Sequence, residues 1–384
     1  MNLLMVFIIH FTDYVLLDQK VCQLSSSLES NILSFTSPQN FLEEKKRFFK
    51  EIEKNGEYNP KFIYAPRNPL FNYFSVSPTF NVYKNELKQL LSEVGRDTLG
   101  LVYEKKLLDL FDRLELVRSV GTPNFSTNSE SYYGVVNRST LKLSEELIQK
   151  EIKFKEEIIP MDKAKKIIEN FLRKKKLKYK IVFRNSSSSN FSVNIRTKNI
   201  FINQNYVFTK ESLKRLIAHE IESHVYRYEN GLIQPYLIFA KGLSKETLET
   251  EEGLAVYVEE QKKINIDSQL KNYAGRVIAI NLASKKNFYD TFLNLTQYFS
   301  KEDAFTLTFR AKRGIHSQEE KGAFTKDALY LKGFLSVRDY LKEHSIEDLF
   351  YGRYAVEDAP FVFDIDGLKK PKYLPEFNKS VEFD

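Results

Sequence analysis

The segment Arg215 to Gly231, RLIAHEIESHVYRYENG, limits what can be built around it more than any other part of the chain. Leu213, Leu216, Ile217, Ile221 and Val225 recur at three and four, so one helix is expected from Glu211 to about Tyr228, with Asn230 and Gly231 as a natural stop. Two of the five histidines of the 384-residue chain, His219 and His224, lie in it five residues apart, with Glu220 beside the first. A metal-binding helix usually spaces its histidines four apart, which puts both on one face. At about 100° per residue, a spacing of five turns them roughly 140° away from each other. Sharing a metal then requires the helix to widen locally to i to i+5 bonding, a rare distortion that tends to occur at functional sites. A distorted helix over His219 to His224 is therefore predicted.

Hydrolytic zinc chemistry asks for three protein ligands, one open position, and a carboxylate near the attacking water. His219 and His224 supply two ligands and Glu220 is placed to be the base. The third ligand is expected on the following helix, LETEEGLAVYVEE, where Glu252 shares a face with Leu248, Ala255 and Val256. Glu249 and Glu251 remain alternatives, because a run of carboxylates on a helix is commonly a solvated face.

The rest of the chain reads as a folded α+β protein, mainly helical, with a small antiparallel sheet before the histidine helix. An apolar fraction of 42% and an aromatic fraction of 14% argue against extensive disorder. Helices are expected over Phe41 to Ile52, Leu87 to Val94 and Val102 to Val117, and near 245–262, 268–283, 287–312 and 325–343. The stretch Gly121 to Gly134 reads as a loop. KYKIVF, FSVNIR and NIFIN read as strands, with Asn185 to Asn190 as a turn between two of them. A boundary near residue 155 divides a helical N-terminal region, 1–155, from a catalytic part, 156–384.

Fifty-eight basic residues against 51 acidic ones give a formal charge of +7, too mixed and too modest to suggest nucleic acid as a partner. The single cysteine, Cys22, excludes an internal disulfide and a cysteine-based metal cluster. No apolar run reaches 18 residues, so no membrane span is expected. Leu3 to Ile9 lacks a basic flank and a cleavage signature and reads as a buried helix or strand, not a signal peptide. A cytoplasmic protein is expected.

These motifs resemble those of the microtubule-associated tyrosine carboxypeptidase family and its bacterial relatives. The matching residues are LIAHEIESHVYRYENG with Gln234 and Pro235, EEGLA at Glu251 to Ala255, FRAKRG at Phe309 to Gly314 and GAFTKDALYLKG at Gly322 to Gly333. Weaker matches are FLEEKKRFF and NPKFIYAP, and the similarity spans roughly 25–350. The resemblance implies Zn2+ held by His219, His224 and Glu252, with Glu220 as catalytic base. It makes Glu252 the ligand in preference to Glu251. It also implies removal of a C-terminal tyrosine or another aromatic residue from a protein or peptide, with a tubulin-like acidic tail as one such substrate.

Such an exopeptidase needs a cation for the substrate's terminal carboxylate, because that charge must be paired when it leaves water. Lys326, then Arg310 and Arg313, are the basic residues inside the matched motifs, and Tyr330 could stabilise an oxyanion. Arg227, one turn beyond His224, could pair with a carboxylate near the metal. The chain departs from the family at Glu222 and Ser223, where Gly-Thr is common, and Glu222 is expected at the rim of the site. Two other readings share these residues: an endopeptidase with an open cleft, and a zinc-containing regulator that binds acidic tails without cutting them.

Overall fold

The computed structural model describes residues 13–28, 32–64, 77–150, 157–185, 191–264 and 266–377. The expected buried segment Leu3 to Ile9 and most of the turn before Asn190 lie outside them. Among the described residues no helix is long and apolar enough to cross a membrane.

Helices dominate, and their ends follow local chemistry. The Phe41–Asn55 helix closes on Gly56, whose φ of +81° lets its N–H reach the Ile52 carbonyl. Phe48 of that helix is buried against Phe288, Phe292 and Phe305, with ring centroids 4.9 to 5.4 Å away. Glu44 is buried one turn earlier and accepts from the Tyr58 hydroxyl at 2.8 Å and the Lys61 N–H at 2.7 Å, which pins the extended segment behind the helix. Where a loop was expected, Phe125–Tyr133 is a helix that ends on Gly134 at φ +83°. Phe125, Tyr132 and Tyr133 all face a core, and that burial overrides the serines and asparagine of the sequence. The single helix expected near 287–312 is two, Phe288–Leu295 and Lys301–Lys312. Ser300 accepts from the Asp303 N–H and so starts a new helix inside the apolar pattern.

Among the described residues five strands form two small sheets: β1 (Ile158–Ile159), β2 (Lys180–Arg184), β3 (Phe191–Asn194), β4 (Asn199–Asn203) and β5 (Phe208–Thr209). The larger sheet has the order β2-β4-β3 and is mixed, not antiparallel: β3 pairs antiparallel with β4 (Val193 opposite Ile200), while β2 pairs parallel with it (Ile181 opposite Ile200). The strand with two fully buried isoleucines, Ile200 and Ile202, takes the centre, and β3 returns through a tight turn at 195–198 to one edge. β1 and β5 pair antiparallel, and β5 runs directly into the histidine helix.

The apolar cores run across residue 155. One contains Leu17, Val21 and Leu107 together with Ile217, Ile221 and Leu254; another joins Phe48 and Leu147 to Val256 and Tyr273. Buried Asp18 adds a polar tie, accepting from the Leu237 and Ile238 N–H groups at 2.7 and 3.0 Å and from Tyr103.

The glutamate helix, Thr247–Gln261, crosses Leu329–Tyr340 at two glycines. A Cβ on Gly253 would lie 2.0 Å from the Gly333 carbonyl carbon, and one on Gly333 would lie 2.0 Å from the Glu249 oxygen. Neither helix tolerates a side chain there, so the spacing that places Glu252 is fixed by backbone contact. We expect Gly333→Val to lower stability by at least about 1–3 kcal/mol, read as a fall in the thermal unfolding midpoint. An unchanged midpoint would show that the helices separate at no cost.

Candidate metal centre

The histidine helix starts at a capping box, in which Thr209 Oγ1 accepts from the Ser212 N–H and Ser212 Oγ accepts from the Thr209 N–H. After one ordinary stretch, Lys210–Leu216, it widens into a π-helix over Ile217–Val225 and resumes α geometry at Tyr226–Gly231. Ser223 donates its hydroxyl to the Ala218 carbonyl, five residues back, at 2.9 Å. The side chain thus follows the same i to i−5 spacing as the backbone. At the far end Gly231 lets the Phe239 backbone pass so close that a Cβ would lie 2.5 Å from its oxygen.

The wide turn brings the two imidazoles together. Their ring centroids are 5.1 Å apart at 76°. His219 Nε2 is 3.5 Å and His224 Nε2 is 3.9 Å from the same oxygen, Oε2 of Glu252. The ligand atoms of all three residues lie within 4.8 Å of one another. Tetrahedral zinc with bonds of roughly 2.0–2.1 Å needs ligand atoms about 3.3–3.4 Å apart, so each histidine nitrogen already stands near that spacing from Glu252 Oε2. Glu252 Oε2 is buried and makes no hydrogen bond within normal range. A buried carboxylate oxygen left in that state is costly unless a cation satisfies it.

Each histidine is held from behind. Glu259 Oε1 lies 2.6 Å from His219 Nδ1 and 3.3 Å from Arg215 Nε. Glu251 Oε2 lies 3.4 Å from His224 Nδ1, and Glu251 itself is fixed by Arg227 at 2.7 Å and Arg353 at 3.1 Å. Carboxylates on Nδ1 leave both Nε2 atoms facing the common point, the arrangement by which proteins orient histidine ligands. Burial pushes the Glu251 and Glu252 carboxyls up, but the arginines beside Glu251, and the histidines and Lys326 beside Glu252, hold both well below the usual carboxylate range. Glu259 is a residue that reading the sequence missed. Its one signal there is its place two turns beyond Glu252 on the same helix.

Glu220 is half-buried and lines the cleft in front of the three donors, a space of about 630 Å³ with Arg276, Arg310, Arg353 and Tyr330 on its walls. Lys326 is close enough to Glu252 for each charge to act on the other. Burial lowers its pKa, opposed by Glu252 and Asp327, and its Nζ makes no hydrogen bond or salt bridge to a described residue. It stands 5.9 Å from the Tyr330 ring, which stacks on Tyr273 at 4.9 Å and near His219 at 6.4 Å. Arg310 lines the cleft but spends its Nε on Asp327 at 2.5 Å. Arg313 is buried behind it, 3.8 Å from Asp327 and over the Phe324 ring, with its pKa lowered by burial to about 10. Arg227 is fully buried, and all three guanidinium nitrogens are engaged by Glu251 and the carbonyls of Leu349, Gly352 and Tyr354. It braces Glu251 and is closed to a substrate carboxylate. Glu222 is not at the rim: it is buried on the back of the helix and paired with Lys262 at 2.7 Å, because the widened turn points it away from the cleft.

A family model, Microtubule-associated tyrosine carboxypeptidase, matches residues 46–383. The chain belongs to that family. Among curated proteins it is similar to "Putative tyrosine carboxypeptidase MATCAP2" of Homo sapiens and of Mus musculus, at 27% identity over 181 residues in each case. The match covers 44% of this chain and 34% of each relative, so the chain spans about a third of the length of the curated relatives it matches.

In this family member, Glu259→Gln should weaken divalent-metal affinity by about 10–100-fold while the fold is kept. Competition with a chromogenic chelator measures this, and an unchanged affinity removes Glu259 from the centre. Asp327 supplies a pH test. Burial raises its pKa, but Arg310, Arg276 and Arg313 hold it well below the usual carboxylate range. A carboxyl depressed in the fold stabilises fully above its unfolded pKa of about 3.9 and loses that contribution as the pH falls toward the folded value. Asp327→Asn should therefore cost about 3–5 kcal/mol at pH 7, as expected for a buried pair broken on one side, and the gap from the unmodified chain should narrow below about pH 4.

Proposed function

We propose that this chain is a zinc-dependent carboxypeptidase that removes one residue, tyrosine or another aromatic, from the C-terminus of a protein or peptide. The observation that carries this reading is the pairing of a converging His219, His224 and Glu252 with an ammonium, Lys326, that makes no salt bridge among the described residues. Family membership and the names of both curated relatives support it. The donor set, two imidazoles and one carboxylate, is one that zinc favours.

When bound, the ion supplies a Lewis acid that polarises the scissile carbonyl and acidifies the attacking water. Glu220, next in sequence to a ligand and open to the cleft, takes the water's proton and hands it to the departing amine. Lys326 pairs with the terminal carboxylate, which fixes how far the chain can enter and so which peptide bond lies against the metal. The Tyr330 phenol is held near the same point by stacking and by the Arg276 guanidinium, 4.6 Å over its ring, and is placed to donate to an oxyanion. Arg310 and Arg313 act through Asp327, the neighbour of Lys326, and position that strip. Five arginines on the cleft wall, Arg184, Arg215, Arg276, Arg310 and Arg353, suit an acidic tail such as that of tubulin. The cytoplasm, where the buried Cys22 stays reduced, suits such a protein.

Glu220→Gln should retain zinc and lose about 10²–10⁴-fold in kcat, measured by metal analysis and by release of the terminal amino acid. A peptide and its C-terminal amide, assayed with and without chelator, separate the alternatives. Loss of cleavage on amidation is expected. Equal cleavage of both forms identifies an endopeptidase, and tight binding without cleavage identifies a regulator.

A further inference from the structure

The positive charge of this chain is concentrated in one segment. Residues 161–180, MDKAKKIIENFLRKKKLKYK, hold nine basic side chains, eight of them lysine, against two acidic ones. That surplus equals the formal charge of +7 on the whole chain, so the rest of the chain is balanced. The segment folds as the Met161–Lys174 helix and the turn that leads into β2. Ala164, Ile167, Ile168 and Leu172 bury one side of the helix. At about 100° per residue, Lys163, Lys166 and Arg173 share the opposite side, and all three are exposed. Past the helix end, Arg173, Lys176 and Lys178 rim a shallow depression over Leu172, Leu177 and Tyr179.

Most of these charges are not spent on the fold. Lys165 and Lys175 are taken by Glu169 and Glu376, at 3.8 and 2.7 Å, whereas Lys163, Lys166, Lys176 and Lys178 make no salt bridge among the described residues. An apolar corner adjoins the start of the helix. β1 runs through Pro160 directly into it, and Ile158 of β1 is 68% exposed. β5 pairs with β1, and Val207, the residue before β5, is 61% exposed. Both side chains gain by leaving water at an apolar boundary.

A partner for this face is anionic and broad. Lysine is a compact, strongly hydrated point charge, while the forked donors of arginine suit nucleic-acid phosphates and protein carboxylates. Eight lysines to one arginine therefore favour a diffuse negative surface over a set of discrete groups. Clusters of about four to eight basic residues on an amphipathic helix meet anionic lipid headgroups in this way. A bilayer also offers hydrocarbon beneath its charge, which Ile158 and Val207 can enter.

We propose that the 161–180 face, with Ile158 and Val207 at its edge, docks this protein reversibly on a bilayer surface rich in anionic lipid. None of the residues named for it lines the metal cleft, so the docking stands whether or not the chain cleaves peptides.

Sedimentation of the full chain with vesicles tests this. It should bind phosphatidylcholine vesicles containing about 30% phosphatidylserine, ignore pure phosphatidylcholine, and be released as salt rises from roughly 0.05 to 0.5 M. Each lysine removed should lower the partition about fivefold, so Lys163→Gln, Lys166→Gln, Lys176→Gly and Lys178→Gln together should lower it at least about a hundredfold. Lys176 already has a φ of +56°, where glycine is at ease, and an unchanged thermal midpoint checks that the fold is kept. Ile158→Ser with Val207→Ser should lower the partition at least about tenfold with every charge intact; this pair decides the question if the lysine variant has a lowered midpoint. Absence of binding at low salt, or binding that survives the lysine changes, overturns the proposal. Equal affinity for soluble poly-glutamate or duplex DNA, indifferent to the serine changes, also overturns it and assigns the face to an acidic macromolecule.

Discussion

Two imidazoles five residues apart can share one ion only on a helix whose turns are a residue too wide, and the neighbourhood of residues 217–225 is arranged around that requirement. π geometry gives weaker backbone packing than an α-turn, so the segment must be held from outside. Ile217, Ile221 and Val225 are fully buried on one side. Ser223 bonds along the widened spacing, and Glu222 pairs with Lys262 behind it. The chain near the C-terminus closes over the same back face. Asn230 accepts from the Lys372 and Tyr373 N–H groups, and Gln234 exchanges two hydrogen bonds with the Lys369 backbone. The Glu376 carbonyl takes Lys262 and the Glu376 side chain takes Lys175. The structure that holds this widened element therefore runs over 150 residues downstream.

Charge is distributed with the same economy. The glutamate helix carries three buried carboxylates, Glu251, Glu252 and Glu259, within about two turns, which would repel strongly if left alone. Glu251 is balanced by Arg227 and Arg353, and Glu259 by Arg215 and His219. Glu252 Oε2 and Glu259 Oε2 are both buried without a hydrogen bond, but Glu259 has the Arg215 guanidinium beside its other oxygen, whereas among the described residues no guanidinium pairs with Glu252. Because its neighbours are satisfied by fixed guanidinium groups, the remaining negative charge is concentrated at one point between two imidazoles. A dication fits there, whereas a lysine or arginine built into the fold would fill it permanently.

Much of this was legible in the sequence. The apolar spacing of Leu213 to Val225 located the helix, the histidine interval demanded its distortion, and the face shared with Leu248, Ala255 and Val256 favoured Glu252. Other features were hidden for physical reasons. Glu259 looks like one more surface carboxylate until the pose of His219 shows what stands behind it. The role of Arg227 depends on carbonyls of residues 349, 352 and 354, more than 120 positions away, which no local pattern encodes. The parallel pairing of β2 with β4 is a matter of chain path, since alternation of apolar residues is the same in either direction. The Phe125–Tyr133 helix, poor in helix formers, exists because three of its aromatic rings find a core.

The glycine crossing and the N-terminal region then become parts of one arrangement. Gly253 and Gly333 let the helix bearing Glu252 lie against the helix bearing Tyr330, and the short turn before the latter carries Lys326. The residues proposed as metal ligand, oxyanion donor and carboxylate cation are thus set by one backbone contact and move together if it loosens. An internal peptide segment laid past this point would bury Lys326 without supplying an anion, and its continuing chain would meet the wall of Tyr132 and Tyr133. A chain that ends there supplies the carboxylate and needs no exit. The proposed preference for a terminus would therefore follow from where the N-terminal region stands as much as from the three donors, which in an open groove would treat both substrates alike.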